Sequence, residues 1–324
     1  MNTFKKIGLT ALAGSLVAVS VNAADLSVTG GAGITFAGQD KTTKGNGWSM
    51  TDNMTFAGSA ELDNGWTVST SFLLDNSDGR ATSSTGQIFD TRTLTINMND
   101  MGTLTMHGHD GGSAMNDVDD VMPYAGGNEG WDLVGTAATA KFGRVAGTGG
   151  TNSFKYNNSS LMDGLSVTAS YQPSNSTQIE GTVSYAVAYT GVEGLTVGYG
   201  ADENGLLGAA QIDAETMYIK YAYGPITVGM QESETDANTS ANSDEFSAMG
   251  ISYAVSDDLT ISYSESAYDA GDKASDEEHT MIGASYTMGS MSLAVSVNDV
   301  KNMGGSTATA DDVSGYEVAL SFAF

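Results

Sequence analysis

The chain has 324 residues, of which 39 are acidic and 12 are Lys or Arg, and its net charge is −27. This charge argues against nucleic acid and other polyanions as partners and favours cations. The absence of cysteine excludes disulfides and thiol chemistry. A hydrophobic content of 40% and a mean hydropathy of −0.14 are too low for a bundle of membrane-spanning helices and ordinary for a soluble protein. Any membrane signal must therefore come from the pattern of residues.

Residues 1–23 are predicted to be a secretory signal peptide. Lys5 and Lys6 precede an apolar segment of small residues, and Val21-Asn22-Ala23 provides a cleavage pattern. A single anchoring helix is the less favoured alternative, because the apolar run is shorter than the ~20 residues that span a bilayer. The mature domain is then expected at residues 24–324, with 10 basic and 39 acidic residues and a net charge of −29.

A short motif recurs along the mature chain, in which a turn pair is followed by a large apolar residue that alternates with Thr or Ser. Its seven copies begin near Asn64, Met101, Asp163, Glu193, Gly224, Asp257 and Gly289. The later copies are spaced by about 30 residues, the length of a hairpin of two membrane-spanning strands and one longer connection. Seven turns join fourteen strands, and the unpaired first and last strands raise the number to sixteen.

The alternation within these segments predicts strands with one apolar and one polar face. The predicted strands span 26–36, 50–62, 66–76, 87–98, 102–109, 152–157, 165–172, 179–190, 195–201, 215–223, 226–232, 245–255, 259–266, 278–287, 291–298 and 314–324. Pro123, Pro173 and Pro225 all fall outside them, as a hydrogen-bonded ladder requires. Tyrosines and a phenylalanine on outward positions suit the two membrane interfaces: Tyr171, Tyr189, Tyr199, Tyr223, Tyr253, Tyr263, Tyr286 and Phe324.

The last strand, SGYEVALSFAF, places a large apolar residue at every second position up to Phe324. No helix or second apolar segment of the mature chain is available to cover that face. If lipid covers it, every backbone amide must pair within a closed barrel, with the first mature strand as the closing partner. This ending resembles the terminal strand of Gram-negative outer-membrane barrels, whose final Phe belongs to the signal read by the assembly machinery. The expected fold is an all-β, 16-stranded antiparallel transmembrane β-barrel.

One interval between motifs, from Gly102 to Gly164, is about twice as long as the others, and its surplus lies between His109 and Asn152. With its signal peptide, strand number, short turns, long outer loops and terminal Phe, the mature chain resembles the general diffusion porins, most closely those of alphaproteobacteria. The resemblance implies an outer-membrane homotrimer without enzymatic activity. It also implies that the long loop folds into the barrel and narrows the pore.

That loop is rich in carboxylates and contains Asp110, Asp117, Asp119, Asp120, Glu129 and Asp132, against only Lys141 and Arg144. Carboxylates at the narrowest point of a water-filled channel favour cations over anions. The alternative is an acidic surface loop that never enters the barrel. Lys155 and Lys220 have inward parity and are expected to face the water of the pore. Arg92 shares the parity of Leu94 and Ile96, and a bulge, a rim position or a subunit contact would each explain it.

Other candidate sites carry weaker signals. His107 and His109 lie two positions apart beside Asp110, a spacing that is compatible with metal binding. A third firm partner is lacking, so these residues are interpreted as polar lining of the lumen and not as a zinc site. No nucleophile motif is present. The remaining outer loops are acidic, at Asp236, Asp244, Glu245, Asp269, Asp272, Asp276, Glu277, Glu278, Asp311 and Asp312. They could bridge through Ca²⁺ or Mg²⁺ to lipopolysaccharide, although simple solubility of the loops is the favoured interpretation.

The sequence thus predicts a channel for passive diffusion of small hydrophilic solutes, with a preference for cations and no cofactor. Two alternatives remain. One is a substrate-selective channel of the same fold, which would be marked by a run of aromatic residues inside the lumen. The other is a secreted calcium-binding β-solenoid or adhesin, which would show a short fixed repeat.

Overall fold

The computed structural model describes residues 25–40, 47–75, 89–109, 111–126, 151–174, 181–203, 212–237, 243–271, 273–307 and 312–324. These residues form sixteen strands: β1 Asp25–Gln39, β2 Gly47–Glu61, β3 Thr67–Asp75, β4 Thr91–Asn97, β5 Thr103–His109, β6 Ser153–Asn158, β7 Leu165–Gln172, β8 Thr182–Val192, β9 Leu195–Glu203, β10 Ile212–Tyr223, β11 Ile226–Ala237, β12 Asp244–Ala254, β13 Leu259–Ala270, β14 Glu277–Met288, β15 Met291–Lys301 and β16 Val313–Ala323. Each overlaps one predicted strand. The predicted signal peptide lies outside the described residues and stays a prediction.

Helical structure is limited, in the described ranges, to three single 3-10 turns at Asn99–Met101, Met115–Asp117 and Met303–Gly305. None of the helices in this part of the chain is long and apolar enough to cross a bilayer.

The sheet is a closed barrel in which every strand pairs antiparallel with its neighbours in sequence, and β1 pairs with β16. At the seam Ile34 faces Leu320 and Phe36 faces Val318 across the ladder. Phe324 continues the pairing beyond β16, because its backbone N donates to Gly30 O at 2.9 Å and its O accepts from Gly30 N at 2.8 Å. The predicted closure by the first mature strand is confirmed, and the solenoid alternative is wrong.

Six of the seven predicted turns contain a glycine with positive φ, between 56° for Gly224 and 86° for Gly102, where a side chain would be strained. The seventh turn, between β12 and β13, closes without glycine. There the hydroxyl of Ser256 accepts from Leu259 N at 3.1 Å, while Val255 N donates to Leu259 O at 2.8 Å. A serine side chain therefore replaces the backbone freedom that glycine supplies at the other turns.

The two faces of the sheet differ as the alternation predicts. On β10 the inward Thr216 and Tyr218 are buried, whereas the outward Met217 is 54% exposed and Ile219 is 46% exposed. Large apolar side chains are exposed on the outer face all around the barrel, as at Val28, Met106, Val187, Met230, Ile251, Ile282 and Phe322. Lipid is the medium that covers such a surface while the closed ladder satisfies the backbone.

Tyrosine is unevenly distributed around the outer face. Ten of the 14 tyrosines point outward on β6 to β14: Tyr156, Tyr171, Tyr185, Tyr189, Tyr199, Tyr221, Tyr223, Tyr253, Tyr263 and Tyr286. None lies on β1 to β5. The outer face therefore has a tyrosine girdle along β6 to β14 and a tyrosine-free sector along β1 to β5.

Candidate functional site

The connection between β5 and β6 enters the barrel, as predicted. Its described part, residues 111–126, is called the inner loop here. Ala114, Met115 and Val118 are at most 1% exposed and form an apolar cluster with side chains that point inward from β8 and β10: Ala186, Ala214 and Tyr218. One face of the inner loop is thus packed on the channel wall. Its other face, with Asn116, Asp117 and Asp120 exposed, borders the lumen.

Wall side chains hold the inner loop by its backbone. Ala114 N donates to the hydroxyls of both Ser170 and Ser184, at 2.9 and 3.0 Å. Further along, Val121 N donates to Gln231 Oε1 at 3.3 Å. Apart from the 3-10 turn at Met115–Asp117 the inner loop has no regular structure, so its buried amides need other partners, and these inward polar groups supply them.

A third anchor lies at the far end of the inner loop. Ala125 N donates to Ser262 Oγ at 2.8 Å, and the same hydroxyl lies 3.2 Å from Ala125 O, to which it donates. The inner loop therefore runs along the wall from β7 to β13, which is nearly half of the barrel circumference.

Glycines on inward positions make room for this close contact. A Cβ added at Gly200 would lie 2.5 Å from Val118 Cγ2 and 2.9 Å from Met115 Sδ. At Gly283 an added Cβ would overlap the carbonyl of Ala125. Glycine within a strand weakens the sheet and often marks the close approach of another backbone, and here that backbone is the inner loop.

Asp117 is paired at the wall. Its Oδ1 lies 2.5 Å from Lys155 Nζ, and its Oδ2 accepts from the hydroxyl of Thr168 at 2.9 Å. Lys155 points inward from β6, and its side chain is 20% exposed. The pair places opposite charges side by side, so Asp117 fastens the loop, and its negative charge is largely offset where it meets the lumen.

Asp119 and Asp120 follow on the same stretch. Asn116 Nδ2 donates to Asp119 Oδ2 at 3.3 Å, while Asp120 is exposed and has a positive φ of 47°. Aspartate tolerates this left-handed conformation better than most residues. Asp120 makes no hydrogen bond or ion pair with the residues that the structure describes. The other predicted loop residues, Asp110, Glu129, Asp132, Lys141 and Arg144, lie outside the described ranges.

Lys220 points inward from β10, on the same face as Tyr218. Its Nζ lies 5.7 Å from the centroid of the Tyr218 ring, which is within the range of a cation–π contact. Tyr218 in turn packs under the inner loop. The two inward lysines are therefore both close to the loop, and neither stands on the wall across the lumen from it.

The histidines do not come together with carboxylates in a metal site. His109 Nδ1 contacts the carbonyl of Asp90, and His107 lies against Gly111 at the start of the inner loop. Among the residues described, no group of three or more His, Asp and Glu side chains could hold a metal ion.

A second connection is tied to the inner wall near the outer rim. Glu277 on β14 is 2% exposed. Its Oε1 lies 2.6 Å from His279 Nε2, and its Oε2 accepts a hydrogen bond from Gly304 N at 2.5 Å. Gly304 belongs to the connection between β15 and β16. This network fixes part of the rim, whereas the inner loop lies deeper along the wall.

Sequence reasoning missed the residues that anchor the inner loop. In the sequence these anchors look like ordinary polar residues on the inward face of their strands. They are Ser170, Ser184, Gln231 and Ser262. The inward glycines were the feature of the sequence that could have indicated the contact with the inner loop. Four of them stand in the middle of strands, where a side chain would be favoured: Gly200, Gly229, Gly250 and Gly283.

Comparison with known proteins gives a consistent result. Residues 8–324 match the family model for the Gram-negative porin. No protein among those with curated descriptions matches the chain. Among solved structures, the anion-selective porin from Comamonas acidovorans is 14% identical with a TM-score of 0.68, and the match covers 93% of this chain and 100% of that one.

Two further structures show the same fold. A triple mutant of the Rhodopseudomonas blastica porin is 15% identical with a TM-score of 0.70, over 93% of this chain and all of the other. A loop-deletion mutant of OmpT, an outer membrane protein of Vibrio cholerae, is 14% identical with a TM-score of 0.67, over 93% and 99% of the two chains. With the family model covering nearly the whole chain, the closed barrel and the loop inside it identify a member of the Gram-negative porin family, a channel protein of the outer membrane.

Proposed function

We propose that this porin is a general diffusion channel that passes small hydrophilic solutes and prefers cations to anions. The observation that carries the proposal is the charge of the inner loop. Asp119 and Asp120 lie on the loop inside the barrel, while Lys155, which points inward from β6, is paired with Asp117. The Comamonas porin is named as anion-selective, so the shared fold leaves selectivity to the charges of each chain.

The wall of the channel supports passage of hydrophilic solutes in general. Side chains that point inward on β1 to β5 include a set of hydroxyls: Thr29, Thr35, Thr51, Thr55, Ser59, Ser69, Ser71, Thr93, Thr95 and Thr105. Hydroxyls donate and accept hydrogen bonds without a charge, so they interact with many polar solutes and with water. Passage through such a pore is passive, and no bond is made or broken.

Electrostatics in the narrowed pore favours cations. Charges within about 8–10 Å are not fully screened at physiological ionic strength. A carboxylate on a loop that lies inside the barrel is within that range of an ion that passes it. The local cation concentration is raised and the anion concentration is lowered, which gives a preference without a binding site.

The test is a planar bilayer with a gradient of potassium chloride. Reconstituted protein is expected to give stepwise conductance, and its reversal potential is expected to have the sign of a channel that is more permeable to K⁺ than to Cl⁻. Stepwise conductance with a reversal potential of zero or of the opposite sign would contradict the cation preference but leave the channel intact. Protein that folds and inserts without conducting would contradict the diffusion function itself.

We further propose that the chain works as a homotrimer without a resident cofactor, and that Ca²⁺ or Mg²⁺ links its acidic outer surface to lipopolysaccharide phosphates. Carboxylates stand directly opposite one another on four neighbouring strands, at Glu215, Glu234, Glu245 and Asp269. Like charges in register are destabilising, and a divalent cation that bridges one of these carboxylates to a lipid phosphate, without being held by the protein alone, would relieve the repulsion.

Removal of divalent cations tests that proposal. Chelation with EDTA is expected to lower the temperature at which the oligomer from native outer membranes dissociates, because the carboxylate row then loses its counterions. The variant Glu215→Gln/Glu234→Gln/Glu245→Gln should respond much less, since fewer like charges remain. An equal response of both proteins to EDTA would assign its effect to other sites.

A further inference from the structure

A groove lies on the outer face of β11 to β13, where two small side chains stand opposite one another. Ser247 on β12 pairs with Ala267 on β13, and both have outward parity. The groove that they leave has a volume of about 550 Å³. Two methionines and two carboxylates of outward parity form its walls: Met230, Met249, Glu232 and Glu265. The groove therefore offers both an apolar surface and negative charge.

The carboxylates begin low on these strands. Counted from the short turns, the outward side of β11, β12 and β13 has three large apolar residues before a polar or small one: Ile226, Val228 and Met230; Tyr253, Ile251 and Met249; Leu259, Ile261 and Tyr263. From Ile226 to Glu232 the chain rises about 20 Å along the strand, or about 15 Å in height at the usual tilt of barrel strands. The apolar band of such barrels is about 25 Å tall. Glu232 therefore lies at a depth that lipid chains normally occupy.

A carboxylate in contact with lipid needs a counter-charge. Glu278, at the edge of the groove, has one, because Lys301 Nζ lies 3.5 Å from its Oε2. The carboxylate of Glu265 accepts from the hydroxyl of Tyr263, which supplies no charge. The carboxylate of Glu232 makes no hydrogen bond or ion pair with the residues that the structure describes. Both Glu232 and Glu265 are exposed, so the groove has two negative charges that no cation of the described ranges offsets.

The chemistry of the groove favours an organic cation over a metal ion. In the described part of the chain no group of three or more His, Asp and Glu side chains could hold a metal. A primary ammonium is a compact cation with three N–H donors, so it can bond to carboxylates on two sides of a gap. An alkyl chain on the same molecule would lie against Met230 and Met249, whose flexible side chains adapt to such a contact.

We propose that this groove binds a lipid whose headgroup carries a primary ammonium. The ammonium lies in the gap at Ser247 and donates to the carboxylates of Glu232 and Glu265. The alkyl chain continues along Met230 and Met249 towards the apolar band. The site is on the outside of the barrel and does not depend on the selectivity of the channel, so either conclusion can fail without the other.

Dodecylamine is the probe for a direct test, because it consists of an ammonium and an alkyl chain. Protein purified in a neutral maltoside detergent with EDTA is expected to bind it, and native mass spectrometry measures the bound fraction. Dodecanol, which lacks the charge, and propylamine, which lacks the long chain, should each bind about tenfold more weakly or less. Equal binding of dodecanol would reduce the groove to an apolar surface and overturn the proposal.

Two variants separate the charge of the groove from its shape. Glu232→Gln/Glu265→Gln keeps the shape and removes both charges, and it is expected to weaken dodecylamine binding about tenfold. Ser247→Leu/Ala267→Leu keeps the charges and fills the gap, and it should weaken binding to a similar extent. All four positions are on the lipid face, where uncharged and apolar side chains are well tolerated, so both variants should fold.

A matched control distinguishes the groove from the general negative charge of the protein. Asp257→Asn/Asp258→Asn removes two charges from the turn between β12 and β13 and should leave dodecylamine binding unchanged. If this control weakens binding as much as Glu232→Gln/Glu265→Gln does, net charge attracts the amine and the proposal is wrong. Normal binding by Ser247→Leu/Ala267→Leu would also overturn it, because the gap would then not be used.

An anionic lipid held through a divalent cation is the competing occupant. Dodecyl phosphate with Ca²⁺ tests it, and its binding should be the same in the wild type and in Ser247→Leu/Ala267→Leu. Binding of the phosphate that depends on the gap, without binding of the amine, would overturn the proposal. Bilayer conductance should be unchanged in all of these groove variants, because the substituted side chains face away from the lumen, so the channel function is judged separately.

Discussion

The double variant Asp119→Lys/Asp120→Lys is expected to abolish the cation preference of the channel or to reverse it. A unit charge 6 Å from a passing ion contributes about 0.7 kcal/mol in water, so each reversal changes the interaction by about twice that value. Screening by salt reduces this effect. A fall of about tenfold in the ratio of cation to anion permeability is a reasonable expectation for the pair of substitutions. The measurement is the reversal potential in a gradient of potassium chloride.

Asp117 is left intact in this variant because its contacts with Lys155 and Thr168 hold the loop. A matched control is Asp257→Lys/Asp258→Lys, which makes the same charge change in the turn between β12 and β13. It should leave the reversal potential nearly unchanged. If both variants shift it equally, net charge rather than the inner loop determines selectivity. If neither shifts it, the selective region is elsewhere in the pore.

Replacement of residues 110–150 by a two-residue Asn-Gly turn is expected to raise the single-channel conductance severalfold. The deletion removes the inner loop from the lumen. β5 and β6 can be joined this way because His107 pairs with Ser153, which brings His109 and Thr151 to the ends of a two-residue hairpin. A wider pore conducts more and excludes fewer solutes by size. Conductance and the uptake of sugars of increasing size measure the two effects.

The deletion also exposes inward side chains that now pack on Met115 and Val118. Loss of these two buried side chains costs about 1.5–3 kcal/mol each, but the closed ladder of sixteen strands remains, so the variant should still fold and insert. Replacement of residues 204–212, which connect the paired Glu203 and Asp213, by the same turn is the control. It should change conductance little. Unchanged conductance after removal of residues 110–150 would show that the inner loop does not limit flow.

Much of the fold could be predicted from the sequence because a β-barrel in lipid imposes local rules. The strand period is visible in β16, where each large apolar residue from Tyr316 to Phe324 is followed or preceded by a small or polar one. The turn glycines, such as Gly164 and Gly194, indicated how many hairpins the chain makes. Closure followed from the cost of an unpaired edge in a bilayer. The ends of strands were less accurate, as for β4, which begins at Thr91 rather than at residue 87.

The sequence named candidate residues for the site but did not show how they are arranged. The resemblance to the general diffusion porins implied that the long loop after β5 would enter the barrel, and the structure confirms this for residues 111–126. Its attachment to Ser170, Ser184 and Ser262 was not predictable. These serines are 56 to 137 positions away in sequence from the loop residues that they bind, and they form no local pattern of their own. The pairing of Lys155 with Asp117 was also not predictable. The alternation along a strand shows that a side chain faces the lumen, but it does not show which residue that side chain contacts.

The sequence by itself determined the strand number, the order of the hairpins and the two faces of the sheet. These properties arise from interactions between neighbours in the chain and from contact of each strand with lipid or water, so a short window of residues records them. Only the tertiary structure decided which carboxylates of the loop stay exposed to the lumen and which one is offset by a lysine. It also decided that Asp52 and Arg92 lie on the same tyrosine-free sector of the outer face. Such arrangements depend on the closure of the barrel, which brings distant strands side by side.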